Sequence, residues 1–129
     1  MKLSVIIPCF NEEKTLEKIV KKVLEQKNLV YEVIIVDDNS NDLSKKIIEK
    51  LSNESQIIKT FFKEKNEGKG SALKKGFEMS TGDIVLIQDA DLEYEPSEYS
   101  KLIRPFIEGN ADVVYGSRFL GGDYTRLHY

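Results

Sequence analysis

The chain has 129 residues, with 19 basic and 22 acidic side chains and a formal charge of −3. That size suits one compact domain able to bury roughly two-thirds of its surface, and the charge balance offers no basic field for nucleic acid. One cysteine, Cys9, excludes an internal disulfide and fits a reducing compartment. No apolar run approaches membrane-spanning length, no secretory signal opens the chain, and no repeat or linker divides it. A single cytoplasmic domain is the expectation.

Residues 3–7 form an almost wholly apolar, β-branched run closed by Pro8, as in a strand buried on both faces of a parallel sheet. Asn11 is suited to cap the next helix, with Glu12 and Glu13 in its first turn. Leu16, Ile19, Val20, Val23 and Leu24 share one helical face. Residues 31–36 read as a second strand and residues 37–42 as its polar turn. Leu43, Ile47, Ile48 and Leu51 mark a second amphipathic helix. Residues 57–62 read as a third strand and residues 63–70 as a charged, glycine-containing loop. Ala72, Leu73, Gly76, Phe77 and Ser80 make the small or apolar face of a third helix.

Residues 83–91, DIVLIQDAD, form an apolar strand that ends in acid. Successive strand side chains alternate faces, so Asp89 and Asp91 are expected to project from one side. Two such carboxylates repel unless a proton or cation lies between them. Oxygen donors of this kind suit Mg²⁺ or Mn²⁺ sharing its other positions with phosphate. An isolated D-x-D is more often only a strand terminus. Beyond it, Pro96 fits a first helical position. Tyr99, Leu102, Ile103 and Phe106 give a fourth stripe, and Pro105 should kink or end that helix early. Residues 111–115 read as a fifth strand leading to Gly116-Ser117-Arg118, and residues 121–129 carry no clear element.

Strands alternate with helices throughout, which predicts an α/β fold with a mostly parallel sheet flanked by helices. Ligands of such sheets bind beyond the carboxyl ends of the strands. The polar clusters at residues 8–12, 37–40, 63–70, 89–93 and at Arg118 all follow strands, so they converge on that edge. Each also has a plain reading. Asp37 and Asp38 are either turn formers or acceptors for a base or ribose. Lys69 is by default a solvated lysine, although its flanking glycines suit approach to a phosphate. Arg118 is an anion contact or a surface ion-pair partner, Phe10 is core or a stacking platform, and Cys9 is a small buried residue. Glu93 reaches the same ion as Asp91 only if the chain stays extended. His128 is assigned nothing. Neither G-x-G-x-x-G nor a P-loop occurs.

The stretches SVIIPCFNEE, EVIIVDDNSND, NEGKGSALKKGFEMSTGDIVLIQDADLEYEP and ADVVYGSRFLGG resemble family 2 glycosyltransferases with the GT-A fold. The chain looks most like the branch making polyprenyl-phosphate sugars, the dolichyl-phosphate mannose synthase-like enzymes. The resemblance spans nearly the whole chain. It implies a Rossmann-like nucleotide-sugar-binding domain and transfer of a sugar from a GDP- or UDP-sugar to an acceptor, foremost a polyprenyl phosphate. It implies that Pro8, Phe10 and Glu12 line the nucleotide pocket and that Val36 and Asp38 contact base and ribose. Asp89, Ala90 and Asp91 would lie against the donor, with Asp89 and Asp91 holding Mn²⁺ or Mg²⁺ and Glu93 a third ligand. Lys69 and Arg118 would face phosphate, and Asp89, Asp91 and Arg118 would carry the catalytic work. Family members continue past this point, so residues 1–129 are expected to be the N-terminal, donor-binding portion of a longer enzyme. The full-length form would act at the cytoplasmic face of a membrane, and surface left uncovered here would favour self-association.

Other classes fit less well. A family 2 enzyme acting on a saccharide hydroxyl and an inactive nucleotide-binding fragment remain open. A phosphoacceptor receiver domain needs its acidic pair after strand one, where Pro8-Cys9-Phe10-Asn11 stands, and a lysine where Arg118 stands. A nucleotidyltransferase needs a Gly- and Arg-rich loop after strand one, and residues 9–13 contain neither residue.

Overall fold

The computed structural model describes residues 2–90, 95–107, 113–116 and 124–126. Six strands form one sheet: β1 (Leu3–Cys9), β2 (Val30–Asp37), β3 (Ile58–Phe62), β4 (Ile84–Gln88), β5 (Val113–Gly116) and β6 (Tyr124–Arg126). Their order is β3-β2-β1-β4-β5-β6. All neighbours run parallel except β5 and β6, which are antiparallel. The helices are α1 (Leu16–Glu25), α2 (Ser44–Glu54), α3 (Lys69–Met79) and α4 (Tyr99–Ile107), the last preceded by a 3₁₀ turn at Pro96–Glu98.

Strands β1 and β4 are buried on both faces, which is why they read as continuous apolar runs rather than alternating ones. Alternation instead sorts their residues between two cores. Val5, Ile7, Cys9, Val33, Ile35 and Leu86 pack with α1, α2 and Tyr99 and Ile103 of α4. Ile6, Ile34, Val36, Val85 and Ile87 pack on the opposite face with Ala72 of α3. Helix α3 comes very close to β1 there. A Cβ on Gly76 would stand 2.5 Å from Ile6 Cγ2, so only glycine fits without a shift.

Several sequence expectations need correction. Asn11 does not cap α1: its φ is 52°, and its Oδ1 accepts the Asn41 N–H at 2.9 Å across to the next loop. Helix α1 starts at Leu16, after a turn in which the Thr15 and Leu16 N–H groups donate to the Glu12 carbonyl, so Glu12 and Glu13 precede the helix. Leu43 is 55% exposed and lies outside the apolar face of α2. Helix α4 runs two residues past Pro105, to Ile107. Residues 124–126 form β6, a strand too short for its own periodicity and present because β5 pairs with it.

Far from the carboxyl edge, Glu32 is buried in a polar knot. Its carboxylate accepts the Ser4 hydroxyl at 2.5 Å and the Thr81 N–H at 2.7 Å, and Lys59 Nζ lies 2.5 Å away. Burial alone would raise the pKa of this group. Lys59, Ser4 and Thr81 outweigh burial and hold it below the ordinary carboxylate range.

Two predictions follow from packing and charge. Gly76→Ala is expected to lower unfolding free energy by about 1–3 kcal/mol, measured by urea denaturation, because Ile6 must leave its rotamer. For Glu32, the folded state binds a proton less readily than the unfolded chain. Its contribution is therefore complete above the ordinary value of 4.5 and is lost as pH falls through the depressed folded value. Glu32→Gln should cost about 2–3 kcal/mol at neutral pH, and the gap from wild type should narrow on acidification below about 4.5.

Candidate functional site at the carboxyl edge of the sheet

The strand order reverses between β1 and β4, and the two strands part early. Their pairing ends at Ile6↔Ile87, while β1 stays paired with β2 to Cys9↔Asp37. The Asp38 N–H donates to the Cys9 carbonyl, so the main-chain groups of Cys9 face β2. By strand alternation those of Pro8 face β4. Proline has no N–H to give there, which suits a central strand only where pairing has stopped. The result is a crevice beyond β1 and β4, the place where open α/β sheets bind ligands.

The loops around this crevice are tied to one another. The Asn11 N–H donates to Ser40 Oγ at 2.9 Å and the Glu12 N–H to Ser44 Oγ at 3.0 Å, joining the loops after β1 and β2. Asp38, nearly fully buried, accepts the Glu67 N–H at 3.0 Å and the Gly68 N–H at 2.8 Å, joining the loops after β2 and β3. Lys69 Nζ meets Asp89 Oδ1 at 2.5 Å, joining the start of α3 to the end of β4. The Thr15 hydroxyl donates to the Ala90 carbonyl at 2.5 Å and closes the ring back to the loop after β1.

These contacts separate the two neighbouring aspartates. Asp37 serves its own turn, accepting the Ser40 N–H at 2.9 Å and the Ser40 hydroxyl at 2.6 Å. Asp38 positions the next loop. Gly68 there has φ +96°, a conformation that side chains rarely adopt, and it sets Lys69 as the first residue of α3. The expected loop thus ends two residues early, with Lys69 and Gly70 already helical.

Each remaining candidate has a definite place. Pro8 is half-buried on β1, and Phe10 is 43% exposed just beyond it, as a stacking platform would need to be. The Val36 side chain is fully buried against the α3 face, so contact with a ligand would pass through its backbone. Glu12 lies on the other rim, lining an open cleft of about 460 Å³ with Asn41 and Asp42. Asp89 and Ala90 are buried at the end of β4. Strand β4 stops at Gln88. Asp91, Glu93, Arg118 and His128 lie outside the described residues. Burial pushes the Cys9 thiol up to about 12, with the Asp37 charge adding to it, so Cys9 is a neutral core residue and no nucleophile.

Sequence reasoning missed the brace behind Asp89. The Tyr99 hydroxyl donates to Gln88 Oε1 at 2.7 Å, and Gln88 Nε2 donates to the Asp89 carbonyl at 3.1 Å. A glutamine closing an otherwise apolar buried strand was the available signal. Among the described residues no group of three or more His, Cys, Asp or Glu could hold a metal ion. The Asp89 carboxylate nevertheless supplies a hard oxygen donor and already draws one cation, the Lys69 ammonium. That chemistry fits an ion such as Mg²⁺ or Mn²⁺, which takes few protein ligands and completes its shell with water and phosphate.

An open sheet with this strand order and a polar crevice at its reversal defines the doubly wound α/β class. The chain belongs to glycosyl transferase family 2, whose description matches residues 4–127, and its fold is of the GT-A type. It is 36% identical over 123 residues to a dolichol-phosphate mannosyltransferase of Pyrococcus furiosus, covering 95% of this chain and 34% of that protein. It is 38% identical over 117 residues to an undecaprenyl-phosphate 4-deoxy-4-formamido-L-arabinose transferase of Proteus mirabilis, covering 88% and 36%. The chain thus spans about a third of the length of these relatives. The glucosyl-3-phosphoglycerate synthase of Mycobacterium tuberculosis, solved with Mn²⁺, UDP and phosphoglyceric acid, superposes with a TM-score of 0.71 at 27% identity, over 85% of this chain and 40% of that one.

Asp38→Ala leaves the Glu67 and Gly68 N–H groups without their acceptor. It is expected to cost about 2–3 kcal/mol in urea denaturation and to speed amide hydrogen exchange at Gly68 before it does so in β1.

Proposed function

We propose that this chain is the donor-binding portion of a glycosyltransferase that moves a sugar from a nucleoside-diphosphate sugar to a polyprenyl phosphate. The observation that carries the reading is the gathering of Asp38, Lys69 and Asp89 around the crevice between β1 and β4. The names of the two relatives, both transferases of polyprenyl phosphates, support the acceptor class. The Mn²⁺ and UDP bound by the mycobacterial neighbour support a metal-assisted nucleotide donor.

In this reading Phe10, Pro8 and the backbone at Val36 receive the base, and Asp38 orders the loop that borders the ribose. Asp89 and Asp91, with Glu93, hold the divalent ion. When bound, Mn²⁺ or Mg²⁺ would neutralise charge growing on the departing diphosphate. Lys69 and Arg118 would add positive charge to the same end. A phosphate oxygen of the acceptor bonds to the anomeric carbon as that carbon's bond to the diphosphate breaks, and the nucleoside diphosphate leaves. The attacking oxygen is already anionic, so no strong general base is needed. A lipid phosphate places the reaction at a membrane surface, on the cytoplasmic side. No described helix is long and apolar enough to cross a membrane.

A second reading keeps the donor and changes the acceptor to a soluble phosphorylated acid or a saccharide hydroxyl. The phosphoglyceric acid bound by the mycobacterial neighbour favours keeping it in view.

Calorimetry with UDP- and GDP-sugars decides the donor chemistry. Wild type should bind its donor at least about tenfold tighter with Mn²⁺ than without, and Asp91→Ala should erase that difference. Equal affinity for both proteins with and without the metal would overturn metal-bridged binding. Donor binding without transfer to any phosphate acceptor would reduce the chain to a nucleotide-binding fragment.

A further inference from the structure

If Asp89 is a metal ligand, a cation already stands where the metal's charge would be placed. Lys69 Nζ lies 2.5 Å from Asp89 Oδ1, with the lysine side chain 41% exposed and the aspartate side chain 11% exposed. The two partners are held very differently. Asp89 sits on the end of β4, where Gln88 and Tyr99 brace its carbonyl from behind. The Lys69 backbone follows Gly68, whose N–H is donated to Asp38. The Lys69 ammonium rides on a flexible four-carbon stem.

Lys69 also stands at an unfavourable place for a cation. It is the first residue of α3, where the exposed N–H groups carry partial positive charge, and the first turn contains no acid. The helix therefore pushes the ammonium away, and the attraction of Asp89 turns it inward. A divalent ion bound to the same carboxylate would repel this ammonium at close range.

We propose that Lys69 is a tethered counter-cation of Asp89. It neutralises the acid when the crevice is empty, and it must swing out before a divalent ion binds. Metal alone is then held weakly. An incoming diphosphate gives the displaced ammonium a new anionic partner, so metal and nucleotide load together. The proposal rests on the reading of Asp89 as a metal ligand, and the test separates the two.

Free Mn²⁺ is titrated by electron paramagnetic resonance against the wild-type chain, Lys69→Met, Lys69→Gln, Lys69→Arg and Lys74→Met, with circular dichroism to confirm folding. Each is measured with Mn²⁺ alone, with Mn²⁺ and UDP, and with Mn²⁺ and GDP. Lys69→Met and Lys69→Gln should bind Mn²⁺ alone roughly three- to fivefold tighter than wild type, the scale of one half-exposed ion pair. Lys69→Arg keeps the charge and should stay within about twofold of wild type. Lys74→Met removes a charge from the same helix, on the side lined by Phe61 and Lys75, and should also stay within about twofold. The gain in Lys69→Met should vanish or reverse in the presence of the nucleotide that binds. Equal or weaker Mn²⁺ binding by Lys69→Met and Lys69→Gln overturns the counter-cation role. An equal gain in Lys74→Met also overturns it, since net charge would then be the cause. If no protein binds Mn²⁺ under any condition, Asp89 is not a metal ligand and the underlying reading falls with it.

Discussion

The parting of β1 from β4 is the constraint on which the site depends. Both strands are apolar and parallel, and nothing in their composition requires them to separate. Pairing stops at Ile6↔Ile87. Two residues past the last β1 partner, on the same side, stands Pro8, which has no N–H to continue the ladder. The crevice that opens there is bounded by loops whose own polar groups are spent on one another. Asn11 with Ser40, Asp38 with Gly68, Lys69 with Asp89 and Thr15 with Ala90 form a closed circuit around it. Such a ring holds its members in place because each loop has two neighbours to restrain it.

Alternation along the strands decides which of these groups face each other. Ile34 and Val36 on β2, and Val85 and Ile87 on β4, all point to the α3 side. Asp38 and Asp89 come two residues after Val36 and Ile87. Both are met by the beginning of α3, Asp38 through the Gly68 N–H and Asp89 through Lys69. The close approach of α3 at Gly76 and Ile6 belongs to the same arrangement. The face that carries the smaller core thus also carries the charged end of the site.

Charge is handled differently at the two ends of the sheet. At the amino end Glu32 is enclosed by Ser4, Lys59 and Thr81, a knot that fastens strands and a turn together. At the carboxyl end the half-exposed Lys69 pairs with an acid whose carbonyl Gln88 braces. The first arrangement is satisfied from several sides and serves stability. The second lies at the edge where the proposed donor and its divalent ion would bind.

The order of strands and helices was legible in the sequence, because β-branched apolar runs and 3.6-residue stripes at this length admit few alternatives. So was the convergence of polar clusters on one edge, which follows from parallel connection alone. Asp38, Lys69 and Asp89 could be singled out as residues, since acids and a glycine-flanked lysine at strand ends are conspicuous. Their partners could not. Periodicity says nothing of which loop lies beside which, so Asp38 reaching forward to Gly68, Lys69 turning to Asp89, and Tyr99 and Gln88 bracing that acid emerge only from the packed chain. The same limit misplaced Asn11 as a cap and left β6 unseen, for a left-handed φ and a strand made by its neighbour are decided by contacts remote in sequence. The sequence by itself determined the elements and the chemical character of the edge. The tertiary structure decided which charges meet there, because hydrogen bonds and ion pairs depend on distance in space.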